Sequence, residues 1–368
     1  MVIFPPPSPL LPTSFHLAIV TTMSVPQKTQ HYFLPKVGTY KDLVIKEAPV
    51  AKPKANEVLV KVHAVSLQYR DYSVSVGKYD IGVYENIIPC SDMAGEILCV
   101  GEDVKDWKKG DRVCSNFMAG YLDGPLTPEA VQTSLGGQSP GVLTQYKCLP
   151  AHALVRIPEH LNYIQASTLP CAALTAYNGL QGPNPVKAGD YVLVLGSGGV
   201  SIFALQFAVA SGAIVIATSS SDEKLKIASK LGARHLINYK KTPDWHKEVM
   251  KITGGVGVDH VIEVGGSGTY EKSINSVRHG GEVAVIGFVA EGTSGNPLVS
   301  IIMKAIEVRG VYVGSVSLFK NMIRLIEANP SKTEPVIDKV FSFNDAVAAY
   351  AYLESQKHVG KVVIEVAK

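Results

Sequence analysis

The stretch from Tyr191 to Thr218, YVLVLGSGGVSIFALQFAVASGAIVIAT, constrains this chain more than any other. It opens with a short apolar run, Tyr191 to Leu195, of the length and character of a buried parallel strand. A glycine turn follows, Gly196-Ser197-Gly198-Gly199-Val200-Ser201, and then a helical pattern from Ile202 to Ser211 closed by Gly212. A second apolar run, Ile214 to Ala217, completes a β-α-β unit. In that context glycine is chemistry as well as punctuation. Gly196 permits the tight turn, and Gly198 lacks the Cβ that would keep a pyrophosphate from the backbone. The helix start behind them offers free N–H groups and the positive end of its dipole. Gly196, Gly198, Gly199 and Val200 are the cofactor contacts expected of this turn. Ser201 stands where the third glycine of G-x-G-x-x-G usually does, and is small enough for helix–strand packing.

After this unit β and α patterns alternate. Helical stretches at Ser221 to Leu231, Trp245 to Thr253 and Thr269 to Val277 separate strands at His235 to Tyr239, His260 to Val264 and Gly281 to Ile286. That is the pattern of a doubly wound parallel sheet. Residues 28 to 160 read differently. Glu57 to Val65 alternates apolar and polar, Met93 to Val100 and Val142 to Leu149 are strands, and residues 116 to 141 form a long loop of the kind that carries function. A helix is expected from Gln165 to Leu180. The tail gives a strand at Val311 to Gly314, helices at Leu318 to Ala328 and Asn344 to Ser355, and a strand at Lys361 to Val366. The expected organisation is therefore a first β-rich part over 28–160, a dinucleotide-binding α/β domain over 161–310, and a return to the first domain over 311–368.

Bulk properties exclude several function classes. At 368 residues there is room for two cores, and 46% hydrophobic with 18% charged residues is ordinary for a soluble globular protein. A formal net charge of +3 argues neither for nucleic acid nor for an anionic membrane. Five scattered cysteines without a C-x-x-C suit a reducing compartment, and a cytoplasmic location is expected. Residues 1–27 read as a disordered extension, with Met23 as an alternative start. They hold Pro5, Pro6, Pro7, Pro9 and Pro12 and no lysine or arginine before Lys28, which fits neither a secretory signal nor a mitochondrial presequence.

The end of the second strand selects the dinucleotide. A site for NAD places Asp or Glu there to bind the ribose 2′-hydroxyl. Here stand Thr218, Ser219, Ser220 and Ser221, with no carboxylate before Asp222. Hydroxyls with a cation suit a 2′-phosphate. Lys224 lies one turn into the next helix, and Tyr239 and Lys240 end the next strand. NADP (NADPH) is therefore the expected cofactor, although the serines also suit a helix cap.

The order of these features resembles the medium-chain dehydrogenase/reductase superfamily, and most closely its zinc-free, alcohol-dehydrogenase-like and quinone-oxidoreductase-like branch. The resemblance is carried by Val65-Ser66-Leu67-Gln68-Tyr69-Arg70-Asp71, Gly101 to Val113, Leu169-Pro170-Cys171-Ala172-Ala173-Leu174-Thr175-Ala176-Tyr177, the glycine turn, and His358-Val359-Gly360-Lys361-Val362-Val363. It implies a GroES-like catalytic domain beside a Rossmann domain, with the active site in the cleft between them. It also implies that Ser219, Lys224 and Tyr239 hold the 2′-phosphate. Val264, Gly265, Gly266, Gly287 and Phe288 would line the nicotinamide half, and Thr175 is placed to touch the nicotinamide ribose. A homodimer is implied, with Val308 to Val313 pairing across a two-fold axis and a small molecule as the remaining partner.

In the superfamily's zinc enzymes a Cys, a His and a second Cys hold the catalytic metal; those positions fall here on Gln68, Ser91 and Cys171. The set lacks the three ligands that zinc needs, so no metal is expected. A phenol is then the natural partner for charge on the acceptor oxygen. Gln68-x-x-Asp71-x-x-x-x-x-Gly77-x-Tyr79 resembles the N-x-x-D-x-x-x-x-x-G-x-Y of enoyl thioester reductases, with Gln68 in place of asparagine. Tyr79 and Tyr69 are the candidate catalytic residues, and each also suits an aromatic at a domain edge. The expected activity is hydride transfer between NADPH and a carbonyl, an alcohol or an activated C=C. The alternative is an NADPH-binding sensor or structural protein with little turnover.

Overall fold

The computed structural model describes Met1 and residues 26–79, 86–290, 292 and 295–367. Most of the N-terminal extension lies outside the described residues. Tyr191–Leu195 is a central strand of a six-stranded sheet. Its order is His235–Asn238, Ile214–Ser219, Tyr191–Leu195, Val258–Glu263, Val277–Val285 and Glu307–Gly310, and every pair is parallel. This is the doubly wound order with the strand reversal beside the glycine turn. The apolar run has no polar alternation because both faces of the sheet are covered. Val192 and Val194 join one buried cluster with Phe203, Phe207 and Ala217, whereas Leu193 and Leu195 join another with Ile216, Trp245 and Val261.

The second sheet is built around Glu57–Ser66, which pairs antiparallel with Asp92–Val100, Tyr146–Pro150 and Lys361–Glu365. The last of these comes from the far end of the chain. Lys361–Glu365 brings Ile337–Ser342 with it as a parallel edge, so residues after 336 complete the first domain. The helix Ala346–Glu354 closes its core through Tyr350, which is fully buried. Glu354 accepts hydrogen bonds from the Tyr40 and Tyr72 hydroxyls at 2.6 and 2.9 Å and ties that helix to the N-terminal half.

Two of the differences from the sequence expectation lie beside the cleft. The helix expected over Gln165 to Leu180 is three pieces: Tyr163–Ala166, a wider π-helical turn over Leu169–Ala173, and Leu174–Leu180. Pro170 has no N–H to donate, so the regular ladder fails there. The strand expected at Val311 to Gly314 lies earlier, at Glu307–Gly310. Val311 and Val313 are apolar because they are buried in the core, not because they pair in a sheet.

The two domains meet at the glycine turn, where the Gly360 N–H donates to the Ser197 carbonyl at 2.9 Å. Gly360 has φ +73°, and a Cβ there would overlap the Val336 carbonyl. Gly360→Ala is therefore expected to lower stability by at least about 1 kcal/mol, read as a drop in the urea midpoint.

Candidate active site

One cleft of about 1190 Å3 runs between the two domains. Its base is the glycine turn. Gly196 sits at φ +74°, and no atom lies within 4 Å of where a Cβ on Gly198 would be. Gly198 caps the helix Gly199–Ala210, whose first N–H groups face that open space. Gly199 is required for another reason: a Cβ there would stand 2.5 Å from the Lys361 side chain. The Ser201 hydroxyl donates to the Leu195 carbonyl at 2.6 Å, so the serine pins the helix to the strand where a glycine would merely fit. The cradle fits a dinucleotide pyrophosphate.

At one end of the cleft, Ser219, Ser220, Lys224 and Tyr239 line the wall. The Lys224 ammonium donates to the Gln356 and His358 carbonyls at 2.8 and 3.1 Å. Asp222 is not among the lining residues; its carboxylate accepts from Asn238 and Lys241 at 2.6 and 2.5 Å. Thr175, Val200, Val264, Gly265, Gly287 and Phe288 line the opposite half. The loop that carries Val264 and Gly265 is organised by Glu263, fully buried at the end of its strand. Glu263 accepts from the N–H groups of Gly265 and Gly266 at 2.7 and 2.9 Å, from Thr269 at 2.6 Å, and from the Ser273 hydroxyl. Sequence reasoning missed Glu263. Its only signal was a carboxylate following the apolar pair Val261-Ile262 at the end of a strand.

Behind that half lies a second buried carboxylate, Asp92. It accepts from Gln68 Nε2 at 2.6 Å, from the Ser91 hydroxyl at 2.6 Å and from the Cys171 N–H at 3.0 Å. Of the three positions that would carry zinc ligands, Gln68 and Ser91 thus commit their side chains to one carboxylate and Cys171 its backbone N–H. Burial and Asp92 together push the Cys171 thiol up, so it stays a neutral thiol. Among the described residues no group of three or more His, Cys, Asp or Glu is placed to hold a metal ion. The donor set does not fit zinc. Lys361 enters the same buried region, donating to the Leu67 carbonyl at 2.5 Å. Burial drives its pKa down, opposed by the charge of Asp92.

The mouth is aromatic. Tyr69, at the start of the helix Tyr69–Ser75, faces Phe288 with ring centroids 6.3 Å apart. The Tyr79 hydroxyl lies 2.9 Å from that of Tyr312. Burial pushes the Tyr79 pKa well up, with Tyr312 adding to it. The Arg70 guanidinium stands 5.4 Å from the centre of the Tyr79 ring and 4.9 Å from that of Phe117. Tyr312 precedes Val313, a β-branched residue at φ +56°. Such a conformation costs about 1–3 kcal/mol and persists only where the surroundings impose it. Here Asn178 donates to the Val313 carbonyl at 2.7 Å, and Arg309 holds Asn178 and Glu282 at 3.0 Å each. Nothing in the sequence marks Tyr312, since the strain that aims it depends on partners far away in the chain.

Comparison with known proteins follows the same lines. Residues 54–159 match the alcohol dehydrogenase GroES-like domain, and residues 199–328 match the zinc-binding dehydrogenase domain. A zinc-type alcohol dehydrogenase-like protein of Schizosaccharomyces pombe is 51% identical over 322 residues, 86% of this chain and 92% of that protein. The chain belongs to the medium-chain dehydrogenase/reductase superfamily. Among solved structures, an NAD-dependent alcohol dehydrogenase superposes with a TM-score of 0.83 at 30% identity, over 92% of this chain and all of the other. A quinone oxidoreductase of Pseudomonas syringae gives 0.76 at 26% identity, over 92% and 100%. The protein is thus an oxidoreductase of the alcohol dehydrogenase and quinone reductase type, with a Rossmann domain for a nicotinamide cofactor. No helix among the described residues is long and apolar enough to cross a membrane.

The buried carboxylates give the fold a pH dependence. Burial raises Asp92 to about 7 and Asp71 to about 6, against the partial opposition of Lys361 and Arg70. Both folded-state values lie above the unfolded value of about 3.9. The folded state therefore binds more protons in that window, and the stability these groups supply is lost as pH rises from about 4 to about 7. Wild-type protein is expected to lose urea resistance between pH 5 and pH 8, and Asp92→Asn to lose measurably less.

Proposed function

We propose that the protein is a zinc-independent, NADPH-dependent oxidoreductase that transfers hydride between the nicotinamide and a small carbonyl, alcohol or activated C=C substrate. The observation that carries the cofactor choice is the end of the second Rossmann strand. Ser219, Ser220, Lys224 and Tyr239 line the cleft there, and Asp222, the nearest carboxylate along the chain, is held elsewhere by Asn238 and Lys241. One structural relative is described as NAD-dependent, but at 30% identity overall likeness does not carry the handful of residues that make this choice. Among the described residues the cleft is lined by five cations, Arg70, Lys224, Lys272, Arg309 and Lys361, and by no carboxylate. That balance favours phosphates and disfavours a cationic substrate.

When bound, the nicotinamide supplies the hydride. The chain's own residues bind and orient. The glycine turn receives the pyrophosphate, Lys224 and the serines receive the 2′-phosphate, and the Glu263-organised loop shapes the far half of the cleft. Without a Lewis acid, the acceptor oxygen needs a hydrogen-bond donor, and Tyr79, kept protonated by burial, can serve as one. The five cysteines are free thiols, in keeping with a reducing cytoplasm.

A homodimer belongs to this reading. In the helix Leu298–Lys304 no residue is buried, and Leu298, Val299, Ile302 and Met303 are 54–73% exposed. The edge strand Glu307–Gly310 lies directly after it and is paired on one side only. A second copy would cover both. Light scattering is expected to give twice the chain mass, and Ile302→Lys with Met303→Lys to give a monomer.

The cofactor and metal readings are tested together with a panel of enones, quinones and aldehydes. Chelator-treated protein is expected to keep its turnover with NADPH. Lys224→Ala is expected to weaken NADPH about tenfold, equivalent to about 1.4 kcal/mol, and to leave NADH almost unchanged. Turnover lost on chelation, or NADH used as well as NADPH by the wild type, would overturn the reading. NADPH binding with no acceptor consumed would make the protein a binder.

A further inference from the structure

The mouth of the cleft holds a feature that the cofactor reading leaves unused. Two phenols from distant parts of the chain meet there at 2.9 Å, Tyr79 from the first domain and Tyr312 after the last Rossmann strand. In a hydrogen-bonded pair of hydroxyls one donates and the other accepts, so one O–H is always left to donate to a third oxygen. A donor whose own oxygen is hydrogen-bonded also bears developing charge better, because the second hydroxyl stabilises it in turn.

The pair is positioned from every side. Phe117 meets the Tyr312 ring edge-on, with centroids 6.0 Å apart and planes at 62°. Arg70 is buried among these rings and held by the Leu135 carbonyl at 2.5 Å, which fixes a positive charge beneath Tyr79. The strained Val313 backbone, pinned by Asn178, leaves Tyr312 little freedom to swing out. Both tyrosines line the cleft together with Tyr69, Tyr121 and Leu126. Mainly aromatic walls with one hydroxyl pair, the Arg70 guanidinium behind it and no lining carboxylate suit a planar, uncharged, conjugated carbonyl compound.

We propose that Tyr312 is a second catalytic hydroxyl, and that the Tyr79–Tyr312 pair is the docking point for the oxygen of a planar conjugated carbonyl substrate. This rests on the reading of the protein as a reductase. In it one phenol donates to the substrate oxygen as that oxygen gains charge, and the other donates to the first. Tyr312 thereby acts on the oxyanion and not on the cofactor.

The test uses the full chain with NADP+ bound and 4-nitrophenol as probe. Its phenolate mimics a carbonyl oxygen that has gained charge, and its absorbance reports ionisation. Wild-type protein is expected to bind the dye and raise the phenolate fraction of what is bound. Tyr312→Phe keeps the ring against Phe117 and removes only the hydroxyl. It is expected to weaken dye binding about tenfold, as for one hydrogen bond to a charged group, and to lower the bound phenolate fraction. Tyr79→Phe is expected to do the same, and the double variant to be little worse than either single one, because the pair acts as a unit. NADPH affinity, followed by fluorescence, is expected to stay unchanged in all three. Dye affinity and ionisation equal to wild type in Tyr312→Phe, or no dye binding by wild-type protein, would overturn the proposal. If Tyr312→Phe does not fold, unchanged dye binding by Tyr79→Phe overturns it equally. Failure of wild-type protein to bind NADPH would instead count against the reductase reading, and the dye titration without nucleotide would still decide the pair.

Discussion

A carboxylate taken out of water needs partners, and Asp92 collects its partners from across the fold. Gln68 precedes the helix Tyr69–Ser75, Ser91 immediately precedes the strand Asp92–Val100, and Cys171 lies in the π-helical turn leading into the Rossmann domain. Lys361, from a strand near the C-terminus, is buried beside them. The cost of burying an unpaired carboxylate is several kcal/mol, so these segments are held in one arrangement or the group is unsatisfied. The π-helical turn around Cys171, which Pro170 already makes irregular, supplies one of these donors. Cys171 stands in its first residues, where a backbone N–H has no partner within the turn and is free to donate to Asp92. The same requirement explains why the metal positions read as they do. Gln68 and Ser91 are poor zinc ligands, and they are good donors to a carboxylate.

The same logic recurs at Glu263. There the donors are local, two backbone N–H groups and two hydroxyls within ten residues, and the result is a rigid loop at the cofactor end of the cleft. Asp92 therefore joins domains, whereas Glu263 shapes one loop. Both are placed behind the cleft surface and neither faces substrate directly, which is how a site built partly on loops is kept in a fixed geometry.

Much of the architecture was legible in the sequence because it is local and periodic. The β-α-β unit from Tyr191 carries its own strand, turn and helix signals, and the serines after Thr218 stand next to it. The residues expected to contact cofactor line one cleft, Gly266 excepted, and most of them follow a strand end at the switch point of the sheet. What could not be read depends on partners far along the chain. The tail strand was placed at Val311 to Gly314 because burial and sheet pairing produce the same apolar pattern, and the pairing ends at Gly310. Tyr312 was passed over because its orientation is set by Asn178 and Arg309 acting on Val313, and no window around Tyr312 contains that information. Pro170 was visible. Its consequence was not, because a proline in a helical pattern shows that regularity fails and not which backbone group will be redirected.

Cofactor recognition and domain joining share groups in this fold. The Lys224 ammonium already donates to the carbonyls of Gln356 and His358, in the segment that returns from the catalytic domain. An ammonium has three N–H groups, so two of them hold the domains together and one remains for an anion. A 2′-phosphate at this position would thus meet a lysine already immobilised by the protein, which reduces the side-chain entropy lost on binding. The adjoining Gly360 N–H to Ser197 carbonyl bond fixes the glycine turn from the same segment. The glycine turn and Lys224 are therefore braced by one loop of the other domain. In this way the strand pairing of Lys361–Glu365 with Glu57–Ser66, a purely structural contact, also sets the distance between the glycine turn and Lys224.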